Sequence, residues 1–178
     1  LKLTNRGHTV EDSIEATQLL KDSFLKACYH MMQGLPNSTK KEDINNFKEI
    51  FSNQDYQPDA LKIYPCMVMP GTPLHEQYKK GLFTPITTEE AAEIILEAKK
   101  FIPKYCRVMR IQRDIPTKVT IDGVNITNFR QYLHNLMGKK GIKCKCIRCR
   151  EPKNKQIDFD NVKVLRENYK ASNGTEIF

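Results

Sequence analysis

Six cysteines fall into two groups. Cys28, Cys66 and Cys106 stand singly among apolar neighbours, whereas Cys144, Cys146 and Cys149 form a C-x-C-x-x-C run. So short a run does not readily form disulfides between its own members, and nothing in the chain reads as a secretion signal. Thiolates this close converge on one point, and the Lys and Arg that flank them lower their pKa. That chemistry suits a soft or borderline metal, most simply zinc. A structural zinc site takes four ligands and the run supplies three. The fourth is open between His134, one of the single cysteines, a residue outside this chain and a water. Iron–sulfur clusters also draw their cysteines from short runs, and a basic loop of free thiols is the reading without a metal.

The same segment carries the charge. Between Lys139 and Lys155 stand eight basic residues (Lys139, Lys140, Lys143, Lys145, Arg148, Arg150, Lys153 and Lys155) and one acid, Glu151. Nearly all of the chain's formal charge of +8 sits there. A patch that concentrated, wrapped around a cysteine cluster, favours a nucleic-acid partner over a merely solvated tail. The 178 residues amount to one domain, or one domain with a small appendage. With 39% hydrophobic residues the chain has enough apolar material for a packed core. No apolar run approaches the ~20 residues of a membrane span, so no membrane partner is expected. The start at Leu1 and the apolar end at Ile177–Phe178 read as cuts through a longer protein.

Other residues carry weaker chemical signals. Arg110 and Arg113 end an apolar run beside Asp114; they offer a fork for a carboxylate or phosphate, or simply an ion pair with that Asp. Gly34-Leu35-Pro36 lets the backbone pass close to a bound adenosine-like group, or only makes a turn, and Pro70-Gly71-Thr72-Pro73 is equally two-sided. His30 lies mid-strand and reads as a satisfied core histidine. His8 faces a pocket or serves the turn before a helix. Met31, Met32, Met67 and Met69 read as core fillers. No Ser/His/Asp arrangement and no phosphate-cradling P-loop occurs.

The elements that must position these groups alternate. A helix over 9–22 is capped by Thr9, with Val10, Ile14, Leu19 and Leu20 facing inward. A strand over Leu25–Met32 follows, then a helix from Ser38 or Thr39 to about Phe51 with Ile44, Phe47, Ile50 and Phe51 on one stripe. A strand over Ala60–Val68 leads to a short helix over 73–80. Thr87 and Glu90 form a capping box for a helix whose apolar positions are Ala91, Ile94, Ile95, Ala98, Phe101 and Ile102. A strand over Tyr105–Ile111 precedes a helix capped by Thr127 and stopped by Gly138. Asn173-Gly174 reads as a hairpin turn. Apolar strands alternating with helices imply an α/β fold with a parallel sheet, open or barrel-like, and ligands at the carboxyl ends of its strands.

Several strings together resemble the catalytic-subunit family of Elongator (elongator complex protein 3), especially its archaeal members. They are N-R-G-H-T-V-E-D at 5–12, H-M-M-Q-G-L-P-N-S at 30–38, L-K-I-Y-P-C at 61–66, R-V-M-R-I-Q-R-D-I-P at 107–116 and K-C-K-C-I-R-C-R-E at 143–151. The last two argue against other radical S-adenosylmethionine (SAM) enzymes. The resemblance implies the second half of a radical-SAM partial (β/α) barrel over 1–142, a zinc-binding loop and linker over 143–160, and the start of a GNAT-type acetyltransferase domain over 161–178. It implies a cytoplasmic tRNA uridine(34) acetyltransferase that uses SAM, a [4Fe-4S] cluster and acetyl-CoA to modify C5 of the wobble uridine by a radical route.

Carried over by position, Cys144, Cys146 and Cys149 would bind zinc. Lys139, Lys140, Lys143, Lys145, Arg148 and Arg150 would lie along the path of the tRNA anticodon stem-loop. Gly34, Leu35, Pro36 and Tyr64 would approach SAM, and Arg110 and Arg113 would stand at the active-site mouth. Other Elongator subunits or a second copy are the implied protein partners. The cluster cysteines of the family belong before Leu1 and the acetyl-CoA site after Phe178, so this stretch alone is expected to be inactive. A zinc-containing module that binds tRNA or another nucleic acid, without catalysis, is the alternative.

Overall fold

The computed structural model describes residues 4–112 and 115–178. Three short strands, β1 (Cys28–Met31), β2 (Ala60–Ile63) and β3 (Arg107–Ile111), form a parallel sheet in that order. Parallel neighbours need long crossovers, usually helical. Helix α2 (Lys40–Ser52) joins β1 to β2, and α3 (Pro73–Lys79) with α4 (Thr88–Phe101) joins β2 to β3. Helix α1 (Val10–Asp22) precedes the sheet, while α5 (Phe129–Lys140) and the one-turn α6 (Ile147–Arg150) follow it. An antiparallel hairpin, β4 (Asn168–Ala171) and β5 (Gly174–Ile177), comes last. The parallel α/β sheet expected from the sequence is present, with strands shorter than the apolar runs that carry them.

Local chemistry starts the helices. Thr9 with Asp12, Thr39 with Glu42 and Thr87 with Glu90 each form a reciprocal capping box. Each box satisfies backbone N–H groups that a helix start leaves open. Thr72 caps α3, whose first residue is Pro73, where its missing N–H costs nothing.

The core lies on one side of the sheet. Leu61, Ile63, Val108 and Ile111 are buried against Phe47 and Ile50 of α2, Ala91, Ile94, Ile95 and Ala98 of α4, and Phe129, Leu133 and Met137 of α5. The opposite face carries Cys28, His30, Met32, Met109 and Arg110, all exposed, and the half-buried Lys62. A bulge explains why Met109 and Arg110 both point outward: Leu61 pairs with Val108 and Lys62 with Arg110, so Met109 is the extra residue.

Several expectations need correction. His30 is not a core histidine; it lies on the open face with its ring edge-on to Tyr64, centroids 5.6 Å apart. Met32, read as a core filler, is exposed beside it. In α1 the buried positions are Thr17 and Lys21, while Leu19 and Leu20 are exposed. Polar anchoring sets that orientation. Thr17 is hydrogen-bonded to the Tyr29 hydroxyl, and Lys21 Nζ lies 3.4 Å from both Asp59 and Glu176.

The boundaries of α5 also differ. Thr127 does not cap it; the helix starts after Asn128 without a side-chain cap. Gly138 lies inside the helix, which runs on to Gly141 at φ 65°, the left-handed conformation that glycine adopts freely. The extra turn places Lys139 and Lys140 at the helix C-terminus, where positive charge is favoured. The hairpin turn is shifted by one residue. Ser172 and Asn173, at φ 44° and 66°, form its centre, and Gly174 begins β5. Docking explains the shift, because the buried Ser172 donates its N–H to Gln54 O at 2.7 Å.

Candidate metal centre and basic face

The three clustered cysteines are held by the end of the sheet. Ile147 N–H donates to Cys106 O at 3.0 Å, tying the start of α6 to the residue before β3. Arg150 closes the loop, donating from Nε to Lys145 O and from Nη2 to Lys104 O, both at 2.7 Å. The result gathers the Sγ atoms of Cys144, Cys146 and Cys149 within 4.8 Å of one another. Two sulfurs on one tetrahedral zinc, at about 2.3 Å each, stand about 3.8 Å apart, so the sulfurs need to draw together by no more than about 1 Å. The trio therefore closes on an ion with small shifts. All three are free thiols, with Cys144 and Cys146 buried and Cys149 half-buried.

Electrostatics separates these cysteines from the others. Hydrogen bonds from the Cys144 and Cys149 thiols push Cys146 well below the usual thiol range, and backbone N–H groups add to this. Cys144 is pushed up because it is the donor, first to Cys146 and then to Cys149. One sulfur of the trio is thus prepared as a thiolate, which is the metal-binding form. Burial instead raises the Cys66 thiol to about 11 and pushes Cys106 up, which fits inert packing. Among the described residues, no further Cys, His, Asp or Glu atom joins the three sulfurs within that distance, so neither His134 nor a single cysteine completes a fourth position. Burial first, then Lys99 and Arg130, holds the pKa of His134 down.

Two residues at this centre were not singled out in the sequence. Lys99 of α4 is fully buried, with Nζ 3.8 Å from Cys149 Sγ. Arg130 of α5 donates from Nη2 to Val108 O at 3.0 Å, while its buried Nη1 has no hydrogen-bond partner. A signal for Lys99 was available: it stands four residues after Ile95 and three before Ile102, on the inward stripe of its helix. Arg130 carries no comparable signal.

The basic residues around the centre divide by what they touch. Lys139, Lys140, Lys143 and Lys145 are exposed and make no salt bridge among the described residues. Arg148 lies 3.5 Å from Glu151, which also pairs with Arg107 at 2.6 Å. Arg150 is occupied by the two carbonyls that close the loop.

The residues expected near SAM do not form one set. Gly34, Leu35 and Pro36 line a cavity of about 370 Å³ with Phe83, Pro85 and Ile86. Gly34 is glycine for a packing reason: at φ 68°, an added Cβ would sit 2.7 Å from Ile86 Cβ. Tyr64 belongs instead to the open sheet face with His30, where Lys62 and Arg110 stand on neighbouring strands in the same row of the register. Arg113 and its neighbour Asp114 lie outside the described residues. His8 serves the turn before α1, with Nδ1 3.2 Å from Arg6 O. Among the described residues, no helix is long and apolar enough to cross a membrane.

The Radical_SAM C-terminal domain matches residues 58–139. A tRNA uridine(34) acetyltransferase of Methanocaldococcus infernus is 52% identical across all of this chain, which covers 34% of that protein. Elongator complex protein 3 of Dictyostelium discoideum is 38% identical over 98% of the chain, which covers 32% of it. The solved structure of the archaeal Methanocaldococcus infernus Elp3 with an N-terminal deletion superposes with a TM-score of 0.93 at 52% identity, over 99% of this chain and 43% of that one. The chain spans about a third of the length of these curated relatives. It is thus similar over essentially its whole length to a segment of the archaeal tRNA uridine(34) acetyltransferases and of Elongator complex protein 3, and its residues 58–139 match the Radical_SAM C-terminal domain.

Proposed function

We propose that this chain is the part of a tRNA uridine(34) acetyltransferase that closes the radical-SAM barrel and presents a zinc-stiffened basic arm to the tRNA anticodon stem-loop. The observation that carries the reading is the coincidence of three converging thiols with four exposed lysines that make no salt bridge among the described residues, on one short arm. In this reading Cys144, Cys146 and Cys149 hold zinc, which supplies rigidity to the arm. Lys139, Lys140, Lys143 and Lys145 meet backbone phosphates, Arg148 lies at the edge of that surface, and Arg150 shapes the loop from within.

The open face of the sheet is the side turned to the reaction. His30, Lys62 and Arg110 cross β1, β2 and β3 in one row at the carboxyl half of the strands. Ligands of open parallel sheets gather at such strand ends. Cationic groups there hold an anionic group of the substrate or cofactor in place. In the whole protein, SAM, a [4Fe-4S] cluster and acetyl-CoA supply the radical and acyl chemistry. We assign 1–142 to the radical-SAM domain, 143–160 to the zinc loop and linker, and 161–178 to the first hairpin of the acetyltransferase domain.

The experiment is tRNA binding by the protein that carries this chain, measured across salt concentrations with Lys139, Lys140 and Lys143 changed together to Ala. Each lost phosphate contact reduces the slope of log affinity against log salt. A lower affinity and a flatter slope support the reading. Binding that equals wild type at every salt concentration refutes it.

A further inference from the structure

Lys99 is a fully buried cation that no carboxylate answers among the described residues. It is 0% exposed, inside the apolar cluster formed by α4, α5 and the sheet. A lone ammonium there is unfavourable unless an anion accompanies it. Among the described residues, no carboxylate makes a salt bridge with it. Its Nζ instead lies 3.8 Å from Cys149 Sγ. Nor is it alone: Arg130 Nη1 is buried without a partner on the neighbouring helix. Its guanidinium is near enough to be affected by all three cysteines of the trio. A fully buried lysine in contact with one sulfur and a half-buried arginine nearby thus accompany the three cysteines, with no carboxylate bridged to either among the described residues.

We propose that Lys99, backed by Arg130, is the counter-charge of the metal centre, a positioning residue that lets three thiolates and a divalent ion exist at this depth. The inference rests on the metal reading of Cys144, Cys146 and Cys149. Three thiolates and one divalent cation carry a net charge of −1, and the Lys99 ammonium brings the buried group to neutrality. Its Nζ also donates to Cys149 Sγ, restraining that ligand as a partner in the surroundings of a metal site restrains its ligand. A lysine chosen only to fill space would be replaceable by an apolar side chain of the same length.

The test is metal affinity in the protein that carries this chain, read by competition with a zinc-buffering chelator and followed by metal content per chain. Lys99→Met keeps the length and removes the charge. It should weaken zinc binding by roughly ten- to hundredfold, the range for partners of metal ligands, and Lys99→Arg should restore most of the loss. Should Lys99→Met not fold, Lys99→Gln carries the same test, since it keeps a buried donor without the charge. A folded neutral variant that holds zinc as tightly as wild type overturns the inference. If wild type itself binds no metal, the metal reading fails and this inference fails with it. If wild type binds and only Lys99→Met is indifferent, the inference alone fails.

Discussion

Tyr105 and Tyr169 stack face to face, with ring centroids 3.7 Å apart and planes 7° from parallel. Tyr105 stands two residues before β3 and Tyr169 lies in β4, so one aromatic pair fastens the C-terminal hairpin to the sheet unit. Three polar links surround it: Ser172 N–H to Gln54 O, Lys104 to Glu167 at 3.3 Å, and Lys21 to Glu176. Burial pushes both phenols up, Tyr105 more strongly, so the pair stays neutral across the working pH range.

Tyr169→Ala should therefore release the hairpin while leaving the sheet folded. A half-buried aromatic truncated in this way costs about 2 kcal/mol, below the 3–5 kcal/mol of a fully buried ring. Hydrogen exchange is the measurement. Amides of β4 and β5 should lose protection while those of β2 and β3 keep theirs. Uniform loss across all four strands would show that the hairpin is part of the core rather than docked on it.

What the sequence disclosed follows the range of the interactions. The Thr87–Glu90 capping box was legible because both partners lie within one helical turn. The cysteine trio was legible because its three thiols sit within six residues. Lys99 was not legible as part of the site, because its contact with Cys149 spans 50 positions. His30 was misread for another reason: mid-strand position does not reveal which face a residue takes, and here one face of the parallel sheet lies open. The hairpin turn moved by one residue because a tertiary bond from Ser172 to Gln54 outweighed the local preference for Asn173-Gly174.

The basic residues should separate on mutation. Lys143→Ala and Lys145→Ala should weaken tRNA binding and flatten its salt dependence without lowering Tm, because neither side chain is held by a salt bridge among the described residues. Arg150→Ala removes two 2.7 Å hydrogen bonds that close the cysteine loop. It should lower Tm and metal content, at about 1–2 kcal/mol for charged donors on carbonyls. An Arg150→Ala protein with full metal content and unchanged Tm would remove the structural role assigned to it.

Gly34→Ala should act on folding rather than on cofactor affinity. The new Cβ meets Ile86 Cβ at 2.7 Å and Cγ2 at 2.8 Å, with the backbone at φ 68°. Overpacking and left-handed strain together cost about 2–4 kcal/mol. Chemical denaturation should show the loss in the midpoint. A variant of wild-type stability with weakened SAM binding would place Gly34 against the ligand instead of against Ile86.

His30 supplies a pH signature for the open face. Burial first, then the charges of Lys62 and Arg6, hold its pKa below the ordinary 6.5. The folded state therefore binds this proton less readily than the unfolded chain. The stability associated with neutral His30 is present above pH 6.5 and is lost as pH falls through the lowered value. The ring should titrate below free histidine in a carbon-bound proton NMR experiment, and Lys62→Gln should move it upward by removing one of the opposing charges. An unshifted His30, or one that Lys62→Gln leaves in place, would show that the row His30, Lys62, Arg110 does not act as one electrostatic surface. If it does, an anion bound to that row should raise the His30 pKa, since its charge offsets those of Lys62 and Arg110, and the same resonance becomes a direct readout of occupancy.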